Sequence, residues 1–408
     1  MKQHYDVVIV GAGHAGVNVA AALTKGGFTG SVGLLSDEVC LPYKRPPLSK
    51  GYLMGVESGE SLLLRSADYW SRSAVELLYD APVRQVDPAR RIVLTDGGDE
   101  IGYGRLVWAA GGRARSLSTP GIDLTGVHSL RTLADADQLK TRMWVARRAL
   151  VVGGGYIGLE IAAALRGLGL DVTIVEAGTR VLERVTCDVV SGYFQRLHRD
   201  AGIDLRLRTT VTQFRGTGHR LTSAKLSDGT EIGCDLAVVG VGMTTNIGVL
   251  AEAGAAASNG VDVDEFGRTS LEGISAAGDC VSQLHPYGRG GRIRVESVHN
   301  AHEQAKVVAS DLLGKPTVTR EVPWFWSDQY DVKFKAAGLN SGYDTLITRG
   351  DPTDGSFAVL YLADGQLIAI DCVDRPNDFA HGRALIKGNA RIRVEDFADP
   401  QRPMQPAG

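Results

Sequence analysis

The residues of this chain best suited to chemistry are two sets of glycines and the acids that follow them. Gly11, Gly13 and Gly16 sit in YDVVIVGAGHAGVNVAAAL, and Gly153, Gly155 and Gly158 sit in RALVVGGGYIGLEIAAAL. Each set follows a β-branched run and precedes small and apolar residues at helical spacing, which predicts a strand, a tight turn and a helix. In such a turn the backbone can approach a pyrophosphate, and the helix N-terminus offers free N–H groups and the positive end of its dipole. Asp37 closes the next apolar run of the first copy, SVGLLSD, and Glu176 closes that of the second, DVTIVE. Each acid is placed to accept a ribose hydroxyl. A carboxylate at 176 repels a 2′-phosphate, and although Arg180 lies four residues on, no arginine takes the acid's place, so the second site is expected to take NADH rather than NADPH.

Two dinucleotide units in one chain imply two redox cofactors that meet, since hydride transfer needs donor and acceptor rings within van der Waals reach. FAD with NADH is the common pairing. Other chemistries lack their residues. Cysteines at 40, 187, 234, 280 and 372 are odd in number, far apart and free of any Cys-x-x-Cys. That spacing suggests neither a disulfide framework nor a zinc ribbon and fits a reducing cytoplasm. His299 and His302 stand three apart without further ligands nearby, so no metal is expected. No GxSxG elbow or paired-carboxylate motif is present.

The elements that must position these residues are read from the rest of the chain. At 408 residues it is long enough for two to four domains. Its 44 Lys and Arg against 47 Asp and Glu leave a charge of −3, too near neutral for a whole-chain binder of nucleic acid or anionic membrane. Glycine, at 51 residues, is in excess and points to many tight turns. LVWAAGG (106–112) and DLAVVGVG (235–242) read as buried strands stopped by glycine, with domain crossings beside them. ISAAGDC (274–280) is strand-like up to Asp279, and in VESVHNAHEQAKVVASDLLG (295–314) the apolar positions recur at helical spacing up to Gly314. The tail opens with PWFWSDQY, alternates around Asp364–Gly365 and becomes helical near 379–387, as a small α+β domain would. DPQRPMQPAG is expected to be a loose terminus.

Together LPYKRPPLSK (41–50), the paired glycine loops, AAGDC, RVESVHNAHEQA (294–305) and PWFWSDQY (323–330) resemble the FAD-dependent pyridine nucleotide reductases of the glutathione reductase fold. Within them the chain is similar to the ferredoxin reductases that serve Rieske oxygenases and cytochromes P450 in aromatic hydrocarbon catabolism. The resemblance implies an α/β fold with two Rossmann-like domains and a C-terminal α+β domain. The FAD domain would be split, 1–113 and 245–316, around an NAD domain at 114–244, with 317–408 as the C-terminal interface domain. It implies non-covalent FAD at Gly11, Gly13, Ala15, Gly16, Asp37, Arg45, Pro46, Lys50, Ala110, Gly111, Arg131, Asp279, Glu296, Ser297, Val298 and Trp326. NADH would lie at Gly153, Gly155, Tyr156, Ile157, Glu160, Glu176, Arg184 and Gly242.

Lys50 and Glu160 are the expected catalytic pair, the lysine near flavin N5 and the glutamate approaching it where the nicotinamide docks. A cation there stabilises negative charge on the reduced flavin, and a carboxylate holds that cation in place. Tyr330 would lie at the edge of the ring, and Pro47 beside it. Disulfide reductases of this fold carry Cys-x4-Cys after the first glycine loop, and this chain has only Cys40 there, read as a small buried side chain. Electrons would therefore leave the flavin singly, to a [2Fe–2S] ferredoxin docking near Arg289, Arg292 and Arg294. An NADH oxidase or reductase of a small acceptor such as a quinone or radical is an alternative, as is a signalling flavoprotein like the apoptosis-inducing factors. The protein is expected to be a cytoplasmic monomer or homodimer that binds neither nucleic acid nor membrane.

Overall fold

The computed structural model describes residues 3–402 and 404, so the last residues of DPQRPMQPAG lie mostly outside the described residues. The chain divides into two compact units, one of residues 1–44, 62–113 and 244–325, the other of residues 45–61, 114–243 and 326–408.

The first unit is built on the strand His4–Val10, whose β-branched residues favour the extended backbone. It pairs in parallel with Val32–Leu35 on one side and Glu100–Trp108 on the other, with Val8 opposite both Gly33 and Leu106. Val75–Leu78 extends the sheet beyond Val32–Leu35 in parallel. Glu100–Trp108 is shared, its start pairing antiparallel with Ile92–Thr95 and its end parallel with Ile274–Ala276. Side chains alternate between the faces of this sheet. Val7 and Ile9 pack with the helices His14–Lys25 and Val298–Leu312, through Val17, Leu23, Ala305 and Val308. Val8 and Val10 pack on the opposite face with Leu35, Trp108 and Ile274. Both faces are covered, which is why these strands read as continuous apolar runs in the sequence.

The second unit holds a five-stranded parallel sheet in the order Asp204–Arg206, Asp171–Val175, Arg148–Val152, Leu236–Val239, Val127–His128. The helix Tyr156–Gly167 follows the strand Arg148–Val152 in the chain, and Asp188–Asp200 follows Asp171–Val175. A small antiparallel sheet of Val211–Thr217, Arg220–Leu226 and Glu231–Gly233 packs Phe214, Leu221 and Ala224 against Leu150 and Val152. The tail forms a five-stranded sheet in the order Trp324–Gln329, Val332–Gly338, Gln366–Val373, Phe357–Ala363, Thr345–Arg349, followed by the helix Pro376–Lys387. The Asp364–Gly365 turn is a hairpin with both residues left-handed, φ 52° and 74°, and Ala363 opposite Gln366. Asp-Gly is the pair that tolerates this conformation. The helix starts at Pro376 rather than near Phe379, with the proline in its first turn, where no amide hydrogen is missed.

Candidate functional site

Each glycine loop solves the same problem with the same three positions. Gly11 has φ +104°, and a Cβ there would collide with the carbonyl oxygen of Ala109; Gly153 has φ +107°, and its Cβ would lie 2.5 Å from the carbonyl oxygen of Gly240. Only glycine holds either turn. A Cβ on Gly16 would strike the Gly11 carbonyl, and one on Gly158 the Gly153 carbonyl, so each helix is seated on its own loop. The middle glycines differ, because nothing lies within 4 Å of a Cβ on Gly13 or Gly155. Both are N-cap residues of twelve-residue helices, and no side chain caps either helix. Open space in front of uncapped amide groups is a cradle for an anion, and it fits the pyrophosphate of a dinucleotide at both places.

In the first unit the other predicted FAD residues come from several elements. Asp37 is exposed, two residues beyond Val32–Leu35. Gly278, just before Asp279, brings the position of its Cβ to 3.0 Å from the Ala15 side chain. Its amide donates to Gln304 Oε1 at 2.6 Å, a contact from the helix Val298–Leu312 that sequence reasoning missed. Ala110 and Gly111 are laced by Asn246, also unforeseen. The Asn246 side-chain amide donates to the Ala110 carbonyl at 3.1 Å and its backbone amide to the Gly111 carbonyl at 3.0 Å, while Trp108 Nε1 donates to the Asn246 carbonyl at 2.7 Å. Ser297 caps the helix that begins at Val298, its hydroxyl accepting from the Asn300 amide at 3.0 Å.

Of the arginines expected at the acceptor, Arg294 is drawn inward, its guanidinium donating to Glu296 Oε1 at 2.5 Å and to the Asp279 carbonyl at 3.3 Å. Arg292 donates to the carbonyls of Val263 and Ser282 at 3.1 and 2.9 Å. Arg289 is exposed, in left-handed backbone at φ 51°. His299 packs its ring 5.7 Å from that of Trp324, and His302 stands 6.0 Å from the ring of His14.

The second unit contains Arg45, Pro46, Lys50, Arg131 and Trp326 together with all the predicted NAD residues. Lys50 follows the single helical turn Pro46–Ser49, where two prolines fix the backbone in advance. Its Nζ lies 2.8 Å from Glu160 Oε2, and the carboxylate is only 4% exposed. Ser49 Oγ donates to the same oxygen at 2.6 Å, and Ser327 Oγ to the other at 2.6 Å. Neither serine was singled out in the sequence, and no local signal marks them. The segment around this turn is tied to the helix Leu133–Met143 and to the residues just before it by two further contacts. The Tyr52 hydroxyl donates to Asp137 Oδ1 at 2.5 Å, and Arg45 Nη1 donates to the Arg131 carbonyl at 2.8 Å. Burial and the Asp137 carboxylate push the Tyr52 hydroxyl up to about 12.

At the second cradle the Glu176 carboxylate spans the loop, accepting from the Gly154 amide at 2.6 Å and from the Gly178 amide at 2.7 Å. Glu183 lies on the other side of Gly178, its carboxyl held below the usual range by the hydroxyl and amide of Thr179. Arg180 turns away from these acids to Thr186, Ser191 and Asp188, at 2.9, 2.6 and 2.7 Å. Two carboxylates beside the loop favour an unphosphorylated ribose. Arg184 is exposed, 3.6 Å from the position of a Cβ on Gly242. Ile157 is half-exposed on the first turn of the helix, whereas the Tyr156 ring stacks on Phe334 with centroids 5.7 Å apart.

The cysteines hold no thiol pair. None of the five forms a disulfide, and Cys187, Cys234, Cys280 and Cys372 are buried. Burial pushes the Cys234 and Cys280 thiols up to about 12. Cys40, expected to be buried, is partly exposed, because it lies in the loop after Val32–Leu35 rather than on a packed element. No helix among the described residues is long and apolar enough to cross a membrane.

Comparison with known proteins agrees with this geometry. Residues 5–305 match the family described as pyridine nucleotide-disulphide oxidoreductase, and residues 324–407 match a reductase C-terminal domain. A ferredoxin–NAD(P)(+) reductase of Sphingomonas is 44% identical over 403 residues, covering 98% of this chain and 97% of that protein. Putidaredoxin reductase of Pseudomonas putida is 37% identical over 410 residues, covering 99% and 97%. Among solved structures, that of the covalent putidaredoxin reductase–putidaredoxin complex superposes with a TM-score of 0.94 at 37% identity, over 98% of this chain and 96% of that one. Two dinucleotide cradles, a lysine held on a buried glutamate and matches spanning nearly the whole length have one common explanation: the chain belongs to the pyridine nucleotide-disulphide oxidoreductases, among their FAD-dependent ferredoxin reductases.

Proposed function

We propose that this chain takes electrons from NADH onto FAD and hands them singly to a [2Fe–2S] ferredoxin that supplies a Rieske oxygenase or a cytochrome P450. When bound, FAD accepts a hydride from NADH and releases electrons one at a time, so that one NADH and two oxidised ferredoxins give NAD⁺, one proton and two reduced ferredoxins. The observation that carries the choice of acceptor is the absence of a thiol pair among the five cysteines: with no disulfide to relay through, electrons pass from the flavin directly to the acceptor, as they can, one at a time, to a [2Fe–2S] protein. The full-length similarity to proteins named as ferredoxin reductases supports the same reading.

The chain's own residues then have distinct tasks. Residues 114–244 bind NADH, with Gly155 and the head of its helix against the pyrophosphate and Glu176 at the ribose. Residues 1–113 and 245–316 bind FAD, with Gly13 at the pyrophosphate, Asp37 at the adenosine ribose and Asp279 at the ribityl chain. Residues 317–408 form the interface domain. Lys50 supplies positive charge for the reduced flavin, and Glu160 holds that lysine while facing the positively charged nicotinamide of NAD⁺. The loop carrying Arg289, Arg292 and Arg294 offers the acidic ferredoxin its first contact, with Arg289 the most outward of the three.

Anaerobic stopped-flow of the FAD-loaded protein tests this. NADH is expected to bleach the flavin quickly, and an oxidised [2Fe–2S] ferredoxin to restore it quickly in a step that slows as salt is raised, while oxygen restores it slowly. Fast restoration by oxygen beside an inert ferredoxin would identify an oxidase instead, and no bleaching by NADH would sink both.

A further inference from the structure

Glu160 anchors one end of a chain of hydrogen bonds that runs from the interior of the second unit to its surface. Ser327 Oγ donates to Glu160 Oε1 at 2.6 Å, and Gln329 Nε2 lies 3.2 Å from Ser327 Oγ. His198 Nε2 lies 2.9 Å from Gln329 Oε1, and the Tyr330 hydroxyl lies 3.3 Å from His198 Nδ1. Ser327, Gln329 and His198 are 0, 1 and 0% exposed, whereas Tyr330 is 36% exposed. Tyr330 occupies the turn between Trp324–Gln329 and Val332–Gly338 in left-handed backbone, φ 54°, and its ring centroid lies 5.3 Å from that of His198.

The direction of every link follows from the first. An ionised carboxylate has no hydrogen to give, so the single hydrogen of Ser327 goes to Glu160. The serine oxygen is then left to accept, and the nitrogen of the Gln329 amide must face it. That turns the Gln329 oxygen toward His198, and an amide oxygen only accepts, so His198 carries its proton on Nε2. Burial holds His198 below its ordinary pKa, which keeps the ring neutral with one proton to place. Nδ1 is therefore bare and accepts from Tyr330. All four donors point the same way, inward to Glu160.

We propose that Ser327, Gln329 and His198 are positioning residues for the Lys50–Glu160 pair: a one-way relay that holds the Glu160 side chain in place and couples its hydrogen bonding to the tautomer of His198 and the hydroxyl of Tyr330. The catalytic significance of the relay rests on the role of Lys50 and Glu160 given above; its geometry does not. A residue that merely filled space would be indifferent to the hydrogen at the inner end of the chain, but the relay must reverse. In Glu160→Gln the new amide oxygen has to face Lys50, which only donates, so the new NH₂ faces Ser327. Ser327 then gives its hydrogen to Gln329, the Gln329 amide flips, and His198 accepts on Nε2 and carries its proton on Nδ1.

Nitrogen-15 NMR of the FAD-loaded full chain with labelled histidine reads this directly, without turnover. Tyr330→Phe, which removes the hydroxyl that meets Nδ1 and keeps the ring, assigns His198 by the imidazole signals it moves most. The expected result is an Nε2–H tautomer in the wild type, an Nδ1–H tautomer in Glu160→Gln, and in Glu160→Gln/Gln329→Leu a tautomer that no longer follows residue 160. An Nδ1–H ring in the wild type, which needs no variant to fold, would overturn the relay, as would the same tautomer in wild type and Glu160→Gln. A tautomer that follows residue 160 in a protein whose flavin NADH does not bleach would uphold the relay and sink the functional reading. Bleaching with a tautomer indifferent to residue 160 would do the reverse.

Discussion

Lys50 and Glu160 show how a surface motif and a buried acid define one another. Glu160 sits on a helix face that would otherwise be filled by an apolar side chain, and burying a carboxylate is unfavourable unless it is paired and hydrogen-bonded. One lysine and two serine hydroxyls meet that need. Removing the lysine charge while keeping its length, Lys50→Met, leaves the carboxylate with hydroxyl donors alone. Denaturant unfolding at neutral pH is expected to show a loss of about 3 kcal/mol, at the low end for breaking one side of a buried pair. Flavin bleaching by NADH should slow on the order of a hundredfold, the scale of deleting one preorganised electrostatic contact. An unchanged unfolding midpoint would show that Glu160 does not depend on the lysine.

At the scale of the element, the strand–loop–helix unit separates residues that make the turn from residues that make room. Gly11 makes the turn, through its φ of +104° and its approach to Ala109, and Gly13 makes room, with ordinary extended backbone at φ −80° and ψ −167°. Gly11→Ala should therefore destabilise the protein by about 1–3 kcal/mol even without a cofactor, the range for a side chain forced into a disfavoured conformation. Gly13→Ala should leave the unfolding of the cofactor-free protein within about 0.5 kcal/mol of wild type. Its methyl group, however, stands where the pyrophosphate must come, so the flavin-to-protein absorbance ratio of the purified protein should fall. Equal stability losses in the two variants would contradict this division of labour. The same elements were the most legible part of the sequence, because glycine spacing, β-branched runs and helical periodicity are all local. The small antiparallel sheet of residues 211–233 was not foreseen, since its strands are half-exposed and carry no strong alternation.

Over the whole molecule, folding sets the protonation of groups that no motif reveals. Asp371, on the strand Gln366–Val373, is buried and accepts hydrogen bonds from the hydroxyls of Thr186 and Tyr361, while the Tyr361 hydroxyl also accepts from the Cys187 amide at 3.1 Å. Burial pushes Asp371 up to about 6 despite those donors. An acid whose pKa is higher in the folded state than in the unfolded state favours folding when protonated. Stability from this group is thus greatest below the unfolded pKa near 4, declines as pH rises toward 6, and levels off above it. Asp371→Asn keeps an oxygen for both hydroxyls but cannot ionise. Its stability relative to wild type should rise across that window by about 3 kcal/mol, two pKa units at roughly 1.4 kcal/mol each. Comparing the two proteins at each pH isolates the group from His198 and His285, which burial shifts down and which act in the opposite sense. A difference that does not vary with pH would mean that Asp371 titrates normally.

The two dinucleotide units, the kinds of cofactor they take and the lack of a thiol pair can be read from the chain before it folds, because each of these is written in residues close together. The sequence also named Lys50 and Glu160, but only through resemblance to a family, since the two stand 110 positions apart and nothing local links them. Only the tertiary structure decided what surrounds that pair. Ser327, Gln329 and His198 come from a strand and a helix far apart in sequence, and their roles arise from burial that sets their polar atoms against one another. It also decided that Arg294 turns inward to Glu296 and that Arg180 turns away from the ribose acids. A guanidinium's direction depends on which carbonyls and carboxylates the fold brings within reach, and no spacing in a sequence encodes that.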